Sequence, residues 1–166
     1  MSKSLYLMRH AKSSWDDATI SDRDRGLNNR GRRNAPRMGR ALADHMQPMM
    51  IRVSPARRAQ STLGGLQDGW PALGDFQHRT EEALYTFSAA DLVHYIQQRQ
   101  QSDETSLFLL GHNPAMTDLV NWICGESVLA NLPTAGFVHL ELPIKDWAEL
   151  DAGCGRLYTR ILPREL

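Results

Sequence analysis

The sequence predicts an α/β fold: a three-layer α/β/α sandwich around a mostly parallel sheet with at least one antiparallel strand. Three observations predict it. Two short runs, Leu5-Tyr6-Leu7-Met8 and Leu107-Phe108-Leu109-Leu110, are apolar on both faces and read as central strands. Helical stretches separate the strand-like runs, which is the order of parallel strands joined by crossovers. The last two runs, 136–142 and 156–162, have no long helix between them, so one strand is expected to pair antiparallel. At 166 residues the chain is expected to form a single domain, 1–166, with a core of its own.

The elements follow in order. Ser4–Met8 is the first strand. After a polar segment to Leu27, Asn28 is a helix cap, and Ala35, Met38, Leu42 and Ala43 form an apolar stripe through about His45. Pro36 inside this stripe predicts a kink or two abutting pieces. Met49–Val53 is the second strand, and Ser54-Pro55 opens a helix from about Ala56 to Leu66, weakened by Gly64-Gly65. Phe76–Arg79 is a weak third strand. Ser88 caps a helix over Ala89–Gln100 with Leu92, Val93 and Ile96 inward. After the strand 106–110, Asn113 caps a helix that starts at Pro114 and stops near Cys124, with Gly125 as terminator.

Composition narrows the function. Apolar residues are 42% and charged residues 23%, and the formal net charge is zero, so no global field recruits nucleic acid or an anionic membrane. Of the 19 basic residues only Lys3, Lys12 and Lys145 are lysine. Arginine suits planar, bidentate capture of carboxylate or phosphate. The run from Arg23 to Arg40 is read mostly as a solvated helix face. Cys124 and Cys154 match no metal or redox spacing. The apolar run after Ser4 is too short for a signal-peptide core, and no run reaches the length of a membrane span, so a cytoplasmic location is expected.

Ligands of open α/β sheets bind beyond the carboxyl ends of the strands. The first strand ends in Arg9-His10, the second in Ser54-Pro55 with Arg57-Arg58 a turn later, and the strand at 106–110 in Gly111-His112-Asn113. Singly, each is more often structural. Together they describe a phosphate trap with a nucleophile: guanidinium groups hold phosphoryl oxygens, and an imidazole attacks phosphorus. Nearby guanidinium charge is expected to keep that imidazole neutral. The six histidines form no H-x-x-x-H pair, and no Walker loop or G-x-G-x-x-G is present, so neither a metal site nor a nucleotide cofactor is expected.

The motifs L-M-R-H-A-K, S-P-A-R-R-A-Q-S-T and G-H-N-P, in this order, resemble the histidine phosphatase (phosphoglycerate mutase-like) superfamily. S-D-R-D-R-G-L-N-N-R-G, E-A-L-Y and L-P-T-A-G resemble its SixA-type phosphohistidine phosphatase branch, and the likeness spans about Leu5 to Pro163. The resemblance implies a phosphoglycerate mutase-like fold and a metal-independent phosphohydrolase with a phosphohistidine intermediate and no cofactor. It implies that His10 is the nucleophile and that Arg9, Arg58 (rather than Arg57) and His112 bind phosphate. Glu82 is the best match for a general acid, with Glu81 as competitor. Arg25 is placed near the pocket mouth, and Asn113 is a further substrate contact with helix capping as its rival role. Ser61 stands where the family has glutamine, and Gly26 where it often has proline; neither touches the four core positions.

Little sequence is left to form a lid, which favours a phosphorylated protein, such as a phosphohistidine-bearing phosphotransfer domain, as substrate. The alternatives are a small-molecule phosphomonoesterase and, from another class, a non-catalytic phosphate-binding module. A mutase ranks third among the enzymes, since it needs a closed site.

Overall fold

The computed structural model describes residues 2–166. Six strands form one sheet: β1 (Lys3–Arg9), β2 (Arg52–Val53), β3 (Arg79–Thr80), β4 (Ser106–Gly111), β5 (Phe137–Leu142) and β6 (Arg156–Ile161). Their spatial order is β3-β2-β4-β1-β5-β6. β1 to β4 are parallel to one another, while β5 runs antiparallel to both β1 and β6. The expected mixed α/β sheet is therefore present. A short 3-10 turn, Trp147–Glu149, replaces a crossover helix between β5 and β6.

Helices α1 (Asn29–His45) and α2 (Arg57–Gly69) cover one face, and α3 (Ala89–Gln97) and α4 (Ala115–Cys124) cover the other. β1 and β4 serve both faces by alternation. Leu5, Leu7, Leu107 and Leu109 pack toward α3 and α4, whereas Met8, Phe108 and Leu110 pack toward α1 and α2. Burying each such side chain stabilises the fold by roughly 1.5–3 kcal/mol. This two-sided burial fixes the carboxyl end of β1, and with it Arg9 and His10.

Several boundaries differ from expectation. Pro36 does not split α1, which runs as one helix from Asn29 to His45 with the proline inside it. The proline lies where α2 approaches most closely. A Cβ on Gly65 would stand 2.4 Å from the Ala35 Cβ, and one on Gly69 would stand 2.0 Å from the Pro36 carbonyl oxygen. Packing of Ala35, Met38 and Leu42 outweighs one missing backbone bond, and the same glycines carry α2 past Leu66 to Gly69. β2 is short because the Ile51 N–H donates to His78 Nδ1 (2.9 Å) rather than to a strand. Phe76 closes a 3-10 turn onto Leu73, so β3 begins only at Arg79. α3 stops at Gln97. Ser88 makes no side-chain cap; instead the Thr86 hydroxyl accepts from the Ser88 N–H and donates to Asp91. α4 begins one residue later than expected, at Ala115, while Asn113 Oδ1 accepts from the Thr117 N–H (3.0 Å) and hydroxyl (2.9 Å).

Candidate active site

Adjacent strands β2, β4 and β1 end side by side. Arg9 is in register with Gly111, the His10 N–H donates to the Gly111 carbonyl, and the Ser54 N–H donates to the Leu110 carbonyl. The strand ends therefore bring Arg9, His10, Ser54 and His112 to one edge, and the first turn of α2 adds Arg58. The His10 and His112 ring centroids are 5.2 Å apart.

His10 Nδ1 lies 2.7 Å from the Ala11 carbonyl oxygen. A carbonyl only accepts, so Nδ1 carries the proton and Nε2 keeps its lone pair. Arg58 Nε donates to that Nε2 at 3.3 Å. Arg58, 2% exposed, also points Nη2 at His112 Nδ1 (3.4 Å), while His112 Nε2 meets the Ser54 hydroxyl at 2.8 Å. Thr62 ties α2 to the loop: its hydroxyl donates to the Arg58 carbonyl (2.7 Å) and accepts from the Ala11 N–H (2.9 Å). Arg9 Nη1 donates to the Leu132 carbonyl (3.0 Å), and among the described residues its buried Nε has no hydrogen-bond partner. A group placed there with anionic oxygens would satisfy it.

Burial pushes the His10 imidazole down from 6.5 to about 3, with His112, Arg58 and Arg9 acting in the same direction. His112 is pushed down to about 4, again mainly by burial and then by Arg58. The sequence placed the cause in the guanidinium groups; the larger cause is desolvation. Both rings are neutral at physiological pH. An unfolded chain protonates them near the ordinary 6.5, so below that pH it binds more protons than the native state. Stability is therefore expected to fall as pH drops from about 6.5 toward 3 to 4. Urea midpoints measured across this window check it, and His10→Ala should flatten the slope.

Residues that sequence reasoning passed over complete the site. Asp22 opens a 3-10 turn, Asp22–Asp24. Its carboxylate accepts from Arg58 Nη2 (3.0 Å), Arg25 Nη2 (3.0 Å) and the Tyr85 hydroxyl (2.6 Å), and its main-chain oxygen accepts from Arg58 Nη1 (2.6 Å). Burial alone would raise this carboxyl, but the bonds from Tyr85, Arg25 and Arg58 hold it well below the usual carboxylate range. The Tyr85 and Phe87 rings flank His112, at 5.5 Å and 5.6 Å between centroids. E-A-L-Y thus reaches the site through its tyrosine, not its glutamate.

The remaining expectations sort as follows. Arg25 is buried beside the pocket, donates to Ser13 Oγ (2.7 Å) and Asp22, and stacks on Trp15 at 3.5 Å. Asn113 does not present its amide as a substrate contact. Its Nδ2 donates to Asn131 Oδ1 and the Leu132 carbonyl, and its Oδ1 caps α4. Glu82 is not placed as an acid. Its side chain is 71% exposed, both oxygens are held by Arg23 at 2.6 Å and 3.1 Å, and that contact lowers its pKa. Glu81 pairs with Arg79 (3.4 Å) instead of any pocket residue. Glu82→Gln is expected to change kcat by less than about threefold, where removal of a positioned general acid costs about a hundredfold or more; steady-state turnover of the two forms checks it.

A family model, histidine phosphatase superfamily (branch 1), matches residues 5–91, the span that holds Arg9, His10 and Arg58. The chain belongs to this superfamily. As a histidine phosphatase it has the family's α/β fold and is a phosphatase. An uncharacterised chloroplastic protein of Arabidopsis thaliana is 27% identical over 162 residues, covering 93% of this chain and 73% of the plant protein. A crystal structure of a candidate phosphohistidine phosphatase SixA from Agrobacterium tumefaciens superposes with a TM-score of 0.79 at 25% identity, covering 97% of this histidine phosphatase and 98% of that chain. The protein histidine phosphatase SixA complexed with tungstate gives 0.77 at 20% identity, with 98% of each chain covered. Among the described residues no helix is long and apolar enough to cross a membrane.

Proposed function

We propose that this histidine phosphatase removes the phosphoryl group from phosphohistidine on a protein, through a phosphorylated His10 and without a metal. The observation that carries the mechanism is the neutral His10 imidazole, with Nδ1–H fixed on Ala11 and the Nε2 lone pair set against Arg58. In the first step Nε2 attacks phosphorus. A new N–P bond forms, the bond from phosphorus to the substrate nitrogen breaks, and its electron pair leaves with that nitrogen. Arg9, Arg58 and His112 surround the non-bridging oxygens and balance their charge. In the second step water attacks phosphorus, the pair of the breaking N–P bond returns to His10, and the water protons leave with orthophosphate.

The leaving group supports the choice of substrate. An imidazole whose other nitrogen carries a proton departs neutral with its electron pair, whereas an alkoxide needs a proton from an acid. Glu82, the carboxylate expected to supply one, is held outside by Arg23. The similarity to SixA structures, one with the tetrahedral oxyanion tungstate, agrees with this reading. So does the short link between β3, ending at Thr80, and α3, starting at Ala89, which leaves little chain to roof the pocket.

The test compares kcat/KM for a phosphohistidine-bearing phosphotransfer domain, a phosphoserine peptide and a sugar phosphate. A preference for phosphohistidine of about a hundredfold or more is expected, the size of a general-acid contribution that the other two substrates would lack. Equal turnover of the sugar phosphate would instead make the protein a small-molecule phosphomonoesterase.

A further inference from the structure

We propose that Asp22 is an internal competitor for phosphate: it sits on the anion-binding fork of Arg58, yields to the incoming phosphoryl group, and returns as orthophosphate leaves. The proposal rests on the reading of Arg58 as a phosphate ligand given above. It adds a positioning residue to that site.

Arg58 has two terminal nitrogens, and Asp22 takes a hydrogen bond from each. Nη1 donates to the main-chain oxygen at 2.6 Å, and Nη2 donates to Oδ2 at 3.0 Å. A guanidinium fork holds the oxygens of a phosphoryl group through the same two nitrogens. Aspartate and phosphoryl group therefore present the same chemistry to the same donors.

Charge gives the contact its purpose. Arg9, Arg25 and Arg58 converge beside two neutral imidazoles, and among the described residues Asp22 is the carboxylate paired with Arg25 and Arg58. Alone, the guanidinium groups would repel one another and lose their preset directions. The carboxylate holds Arg25 and Arg58, and the Tyr85 hydroxyl at 2.6 Å fastens it in turn.

A phosphoryl dianion on Arg58 would stand within a few ångströms of this carboxylate, where like charges repel strongly in a partly desolvated site. Asp22 is able to withdraw. It is on a surface turn, and its side chain is 43% exposed although Arg58 is 2% exposed. Competition of this kind weakens binding of every phosphoryl group. It acts most on orthophosphate, which lacks the contacts that a protein substrate makes beyond the pocket.

The sign of one measurement separates a competitor from a mere brace. Orthophosphate binding is measured by calorimetry on the wild type, Asp22→Asn, Tyr85→Phe and Arg58→Ala, with no turnover needed. Asp22→Asn keeps the shape and removes the charge, and it is expected to bind orthophosphate about tenfold more tightly. Tyr85→Phe keeps the charge but loosens it, and it should shift affinity the same way by a smaller factor, which keeps the proposal testable if Asp22→Asn fails to fold. In turnover assays Asp22→Asn should lower KM and strengthen product inhibition together. A brace predicts the reverse, since a disordered Arg58 would bind anions more weakly. Equal or weaker binding by the folded variants overturns the competitor role alone. No orthophosphate binding by the wild type overturns the phosphate pocket and this inference with it.

Discussion

His10→Ala is expected to lower turnover by on the order of a thousandfold or more, because it removes the atom that bonds to phosphorus and leaves binding groups without a nucleophile. Arg9, Arg58 and His112 all remain in the variant, so orthophosphate should still bind. Loss of turnover with binding retained distinguishes a covalent route from direct attack of water on the substrate. The intermediate itself can be trapped. Incubation with a labelled phosphodonor and quenching in base should leave acid-labile label on the wild type and none on His10→Ala. Wild-type turnover in His10→Ala at saturating substrate would end the covalent mechanism. Retained orthophosphate binding with no label on the wild type would favour a phosphate-binding module.

What the sequence revealed of this site depended on how local the cause was. The ends of β1 and β4 were legible because a two-sided apolar run followed by polar residues marks a central strand and its edge, and ligands gather at that edge. Arg58 was separable from Arg57 by resemblance. In the structure Arg58 turns inward from the start of α2, while Arg57 lies exposed along Gly26. Asp22 and Tyr85 were not legible. Their roles arise from contacts spanning 36 residues to Arg58 and 63 residues to each other, made from polar turns with no periodicity to read. Glu82 failed for a related reason: a carboxylate one helical turn from a site residue looks equivalent to it in sequence, but Arg23, 59 residues away, had already claimed it. The short β2 has the same origin, since a His78 side chain takes the backbone donor that a longer strand would have used. In each case a distant polar partner outweighed a local pattern.

Arg58→Ala is expected to lower kcat/KM by about a hundredfold or more, the scale seen when one preset charge-stabilising donor is removed. The loss should be larger than phosphate binding alone explains. Arg58 touches His10 Nε2, His112 Nδ1 and Asp22 at once, so its removal also frees the nucleophile's ring and the carboxylate beside it. Arg58→Lys should recover only part of the rate, because an ammonium restores the charge but not the fork that reaches three partners in one plane. Arg57→Ala is the matched control. It removes the same charge one residue away, from a side chain exposed beside Gly26, and should cost less than about threefold. If charge near the pocket were all that mattered, the two alanine variants would fall together, and lysine would serve as well as arginine. A gap of tenfold or more between them, with lysine in between, would mean that direction matters: the phosphoryl group is held by a planar donor whose place is fixed by burial at the start of α2.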